Sequence, residues 1–211
     1  MPRKPAHEQF DAQQAIRQHA FTLFGRFGYE GVSIDRIGKA ARLSKSALYW
    51  HFDNKQTLYL ACLRELHSMF NAYIFDPMRQ QQDGVAGILA LFTGLGRLAL
   101  DPRVTTGIGG YWLLPSRPET AELEQVERAF QDACVETMRE TLRRGVEQGR
   151  FDYRDDLDEM ARAIIALVEA VVLPLRHQTP EEVHQILGVL ARSLFRAYAT
   201  ADDLVKLTRS L

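Results

Sequence analysis

The sequence predicts an all-α fold: an N-terminal three-helix helix-turn-helix domain joined to a larger helical domain. Three observations carry this. Apolar residues recur at helical three- and four-residue spacing along most of the chain. No stretch alternates as a half-buried strand does between hairpin turns, and no internal repeat is visible. Residues 33–55, SIDRIGKAARLSKSALYWHFDNK, hold two short helical patterns, each opened by a serine and parted by a brief break. A serine hydroxyl at that position accepts a bond from an otherwise orphaned amide, so Ser33 and Ser44 are expected N-caps. The second pattern carries Lys45 at its front and Tyr49, Trp50 and His51 behind it. That is the makeup of a helix that reads a DNA groove.

The first helix is expected over residues 10–27, with Ile16, Ala20, Leu23, Phe24 and Phe27 on one face and Gly28 as its left-handed cap. After Lys55 comes a long apolar helix closed at Asp76-Pro77, since proline disfavours helix in the residue before it. Residues 83–100 form the next pattern. Gly107, Gly109 and Gly110 then predict an irregular, mobile segment closed by Pro115 and Pro118. Residues 119–148 read as a long helix, and another starts at Asp155 or Asp156 and is halted by Pro174. Thr179-Pro180-Glu181-Glu182 opens the last strong helix, with a cap, a first-turn proline and first-turn acids. Residues 201–211 add a turn or two, and residues 1–8, with Arg3 and Lys4, form a basic arm.

Composition narrows the class. The 211 residues are 46% apolar and 25% charged, as in a soluble globular protein. No apolar run has the length of a membrane span, and the opening Met-Pro-Arg-Lys lacks the apolar core of a signal peptide. The expectation is a cytoplasmic protein that does not enter a membrane. Cys62 and Cys134 are far apart and outside any CxxC, so they read as buried reduced thiols. The net charge of −1 conceals an asymmetry. Residues 1–55 hold nine Lys/Arg against five Asp/Glu, while the remaining 156 hold 17 against 22. A +4 front and a −5 body suit a DNA-binding end on an acidic partner.

Residues 10–60 resemble the DNA-binding domain of the TetR family of bacterial transcriptional regulators. The likeness rests on Ala20, Leu23, Phe24, Gly28, Tyr29, Gly31, Ser33, Ile37, Ala40, Ala41, Ser44, Lys45, Ala47, Leu48, Tyr49, His51, Phe52, Lys55 and Leu58. Two departures stand out. Arg42-Leu43 replaces the usual Gly-Val of the turn, and Ser46 stands where glycine is common. By resemblance, residues 1–55 form the DNA-binding domain and residues 56–211 an effector-binding and dimerisation domain. Ser33, Lys45, Tyr49 and Lys55 are then expected on phosphates, and Arg42 can add another. Ser46, Ala47, Trp50 and His51 are candidates for base or sugar contact, behind the cap Ser44. Leu48 and Phe52 are expected in the core.

The resemblance further implies an effector pocket among apolar helices and a two-fold dimer on a palindromic double-stranded DNA operator. Phe70, Tyr73, Phe92, Trp112, Phe130, Cys134 and Met138 are the pocket candidates. Ile164, Leu167, Val168, Val171, Val183, Ile186, Leu187, Leu190 and Leu194 are the interface candidates, because helices apolar over so wide an arc need cover on more than one side. The expected output is repression relieved by a small-molecule effector whose identity the sequence does not give. An enzyme is disfavoured: there is no HExxH, GxSxG, phosphate loop or GxGxxG after a strand, and His177 and His184 lack companions at metal spacing. Neither a cofactor nor a metal is expected. The competing expectation is a ligand-binding or adaptor protein of the same fold that no longer binds DNA.

Overall fold

The computed structural model describes residues 6–153 and 156–200, with side chains from residue 12 onward. Residues 1–5 of the expected basic arm, with Arg3 and Lys4, the Asp155 start and the final turns over residues 201–211 lie outside the described residues, and residues 6–8 of that arm are helical. Regular structure among the described residues is helical, apart from one antiparallel bridge between Phe151 and Ala199. The chain divides into two compact units. One takes residues up to 67 together with 106–127, and the other takes 68–105 and the chain from 128 on. That division follows different lines from a single cut after residue 55.

The first unit is built on α1 (Ala6–Phe27), α2 (Ile34–Ala41), α3 (Lys45–His51) and the start of α4 (Lys55–Phe70). Helix α1 buries Ile16, Ala20, Phe21 and Phe24 along one stripe. Gly28, at φ +70°, ends it, its N–H donating to the Phe24 carbonyl at 2.8 Å. Phe27, expected inside, is instead 40% exposed and carries the Arg36 guanidinium 3.8 Å from its ring centre. Ile37, Leu48, Phe52 and Leu58 close the core beneath α2 and α3.

Residues 106–127 join this unit through close backbone packing, not as a loose loop. A Cβ on Gly110 would lie 2.1 Å from the Phe24 carbonyl oxygen, and one on Gly25 would lie 2.3 Å from that of Gly107. Gly107, Ile108, Gly110 and Tyr111 are buried, and Gly109–Leu113 forms a 3-10 turn. Here glycine allows two backbones to approach, which corrects the expectation of a mobile segment. Tyr111 donates to the Phe21 carbonyl and packs beside Phe21 and Tyr59.

In the second unit a π turn, Asn71–Phe75, follows α4 and leads into α5 (Asp76–Arg79). Pro77 therefore sits in the first turn of a new helix, where its missing N–H costs nothing, instead of ending the path. Asp83 caps α6 (Gly84–Ala99), accepting from the Ala86 amide at 2.8 Å. After it come α7 (Pro102–Thr106), α8 (Ala121–Glu147), α9 (Leu157–Leu175) and α10 (Pro180–Tyr198). Helix α6 packs against both α9 and α10. Asp156 caps α9, Pro174 falls in its last turn, and Thr179 with Glu182 forms a full capping box on α10.

Candidate nucleic-acid interface

Two serine caps fix the geometry of the exposed helix pair. Ser33 Oγ accepts from the Arg36 amide and Ser44 Oγ from the Ala47 amide, both at 3.2 Å. Between the helices Arg42 sits at φ +55°, the only positive-φ non-glycine residue among the described residues. Arg42 accepts there the left-handed conformation that glycine takes at no steric cost, a local strain of about 1 kcal/mol. The turn is held because Arg42 N–H donates to the Lys39 carbonyl and Leu43 N–H to that of Gly38.

With Leu48 only 1% exposed and Phe52 8%, the opposite side of α3 is left to solvent. Tyr49 is 46% exposed and Trp50 62%, with the Trp50 ring edge-on to His51 at 4.8 Å. Ser44, Lys45 and Ser46 are exposed at the front of α3, and Ala47 and His51 are half-buried. The Ser44 and Ser46 hydroxyls are hydrogen-bonded to each other at 3.0 Å.

A concavity of about 470 Å³ brings together Ser33, Lys45, Tyr49 and Lys55, four of the ten residues expected to meet DNA. Lys55 Nζ lies 4.0 Å from the Tyr29 ring centre; partial burial lowers its pKa, and Glu30 opposes the shift. Such a site suits a phosphate, because it pairs two ammonium groups with a hydroxyl and a phenol. Ser46, Ala47, Trp50, His51 and Arg42 lie apart from this lining, on or before α3. Three residues that the sequence reading passed over also belong here. Arg36 and Asp35 line the concavity, and Asn54 caps α4 by accepting from the Thr57 amide at 2.8 Å. Their signal was positional: Asp35 and Arg36 sit in the first turn after a cap, and Asn54 stands directly before a helical run.

The other expected sites are more scattered. Phe130, Cys134 and Met138 share one face of α8, and Phe130 meets Phe70 and Phe75 edge-to-face at 6.4 and 6.2 Å. Burial pushes the Cys134 thiol up to about 12. Tyr73 donates to Asp101 at 2.9 Å, and Arg103 holds that carboxyl below its ordinary range. Phe92 instead lines a groove of about 360 Å³ with residues of α6 and α10, and Trp112 belongs to the first unit. Of the expected interface residues, Ile164, Val168, Val183 and Leu187 are buried within their own unit. Leu167 and Ile186 are exposed, as is Val189, which the sequence reading omitted. Val171, Leu190 and Leu194 are half-buried.

The capped, exposed third helix on a three-helix core defines a helix-turn-helix domain. Residues 16–62 match the model of bacterial regulatory proteins of the tetR family. The negative transcriptional regulator IcaR of the biofilm operon icaADBC, from Staphylococcus epidermidis, is 35% identical over 68 residues. That match covers 32% of this chain and spans only 35% of the relative's length. Two solved structures share the fold. The regulator CifR in complex with a 26-bp double-strand operator gives a TM-score of 0.68 at 18% identity, covering 91% of this chain and 98% of that one. The SmeT–triclosan complex gives 0.70 at 22%, covering 90% and 93%. The likeness to the tetR family covers the helix-turn-helix pair with parts of the helices that flank it, and the fold likeness extends over nine-tenths of the chain.

Proposed function

We propose that this protein is a sequence-specific DNA-binding regulator, a repressor that binds a palindromic operator as a homodimer and is released by a small molecule. The observation that carries this reading is the concavity holding Ser33, Lys45, Tyr49 and Lys55 beside the exposed side of α3. Phosphates seat there and at Arg42, fixing the register of α3. Ser46, Ala47, Trp50 and His51 then meet base edges or sugars in the major groove. The likeness to IcaR, a negative transcriptional regulator, supports repression as the output.

The dimer face is the exposed apolar stripe of α9 and α10, centred on Leu167, Ile186 and Val189. Large apolar side chains exposed on both helices favour cover by a partner, and a two-fold axis places two reading helices on one operator. Ile164, Val168, Val183 and Leu187 support that stripe from beneath. The effector site is the apolar region around Phe70, Phe130, Cys134 and Met138, with Tyr73 as its polar edge; SmeT's complex with triclosan supports a small apolar effector. No helix is long and apolar enough to cross a membrane, and no cluster of three metal-ligating side chains occurs, both among the described residues. DNA as the partner supports a cytoplasmic location.

Selection of duplexes from a randomised pool, followed by binding in excess random DNA, tests the reading. Enrichment of one palindromic sequence is the expected result. A pool that stays random, with small molecules still bound, would favour the adaptor that has lost DNA binding.

A further inference from the structure

Lys45, the cation at the front of the reading helix, is already engaged. Its Nζ lies 3.2 Å from Asp35 Oδ1, and both side chains are 58% exposed. Asp35 stands in the first turn of α2 and lines the same concavity as Ser33, Tyr49 and Lys55. The other carboxylate of that lining, Glu30, is answered from outside it by Arg117 at 3.4 Å, within the same unit. Arg36, also in the lining, is turned to the Phe27 ring and the Gly31 carbonyl. Asp35 is therefore the acid whose partner is the lysine that a phosphate needs.

We propose that Asp35 is an affinity-setting residue of the DNA site, an intramolecular competitor that holds Lys45 against an incoming phosphate. The inference rests on the DNA-binding reading above. Its physics is charge balance. A lysine bound to its own carboxylate brings no net charge to the backbone, so seating a phosphate there releases no net counterion. The phosphate must either displace Asp35 or share the ammonium with it while facing a second anion. An exposed ion pair is weak, so the restraint is small and reversible, on the order of a few-fold in affinity. A regulator that must be released from DNA benefits from such a ceiling. An acid in the first turn also favours α2 through the helix dipole. That role predicts an effect of Asp35 on stability, whereas the competitor role predicts an effect on DNA affinity that depends on Lys45.

The test measures anisotropy of two labelled duplexes, one enriched from a randomised pool and one scrambled, between about 50 and 200 mM salt. Asp35→Asn and Asp35→Ser keep a small polar group at an exposed position, and their folding is checked by far-UV circular dichroism. Both are expected to bind either duplex about three- to fivefold tighter than wild type at low salt. The slope of log affinity against log salt should steepen by about one. In a Lys45→Met background the same Asp35 substitutions should change affinity by less than about twofold. An equal gain with and without Lys45 would overturn the proposal, leaving Asp35 as a through-space charge. Weaker binding by both variants would overturn it too, making Asp35 a positioner of Lys45. If wild type and every variant bind neither duplex, the DNA-binding reading falls and this inference falls with it. If wild type binds and the Asp35 variants match it, only the inference fails.

Discussion

The helix-turn-helix pair and the α9–α10 face put the same question to two kinds of surface. In the pair, polar and aromatic side chains stand outward on two serine-capped helices, over a core of Ile37, Leu48 and Phe52. On α9 and α10, apolar residues serve both inside and outside, and the same residue types do both jobs. Leu187 is 5% exposed and Val189, two positions on, is 54% exposed. A capped, amphipathic pair declares its outer side through chemistry; a doubly apolar helix does so only through packing.

The sharpest contrast comes from neighbours in sequence with opposite placement. Leu48→Ala and Leu187→Ala each remove a buried side chain and should cost about 2–5 kcal/mol of unfolding free energy in urea titrations. Trp50→Ala, at an exposed position, should stay within about 0.5 kcal/mol. Equal losses at inner and outer positions would erase the distinction.

The α9–α10 face can be broken without breaking the fold. Val189→Asp would bury an unpaired charge only where a partner covers it, weakening association by about 2–4 kcal/mol. Sedimentation should show a monomer for Val189→Asp and a dimer for wild type, with the helical circular dichroism unchanged.

The first unit also carries a pH signature, at a buried histidine. His67 is 9% exposed, and burial lowers its pKa from 6.5 to about 4. Below pH 6.5 the unfolded chain takes up a proton that the folded chain refuses until about pH 4. Stability from neutral burial is thus full above pH 6.5 and is lost as pH falls to 4, by about 2–3 kcal/mol in all. Glu127 Oε2 lies 3.9 Å from His67 Nε2. The stability gap between wild type and His67→Gln, followed by denaturant titration, should move by that amount across the window and stay level above it.

The smallest effect on stability falls on the caps. Ser44→Ala removes the bond to the Ala47 amide and should cost about 1 kcal/mol, read as a lower urea midpoint.

These contrasts explain what could be read in advance. The helices, their caps at Ser33, Ser44 and Thr179, and the burial of Leu48 and Phe52 follow from local rules, because a cap and its amide are three residues apart. The role of the glycines at 107–110 was not legible, since their partner is the backbone of α1 more than 80 residues earlier. Pro77 misled for a related reason: the π turn before it supplies a helix start that periodicity does not announce. The scattered pocket candidates were chosen by residue type, and type alone does not say which helix faces which. Arg42 was legible as a departure, and its φ of +55° locates the strain that departure implied.

Lys55 tests most directly whether the concavity beside α3 is a phosphate site. Wild type and Lys55→Ala should be titrated with the duplex enriched from the randomised pool over a range of salt. The slope of log affinity against log salt should become shallower by about one for Lys55→Ala, with affinity falling on all sequences alike. An unchanged slope would contradict the phosphate contact and with it the central claim.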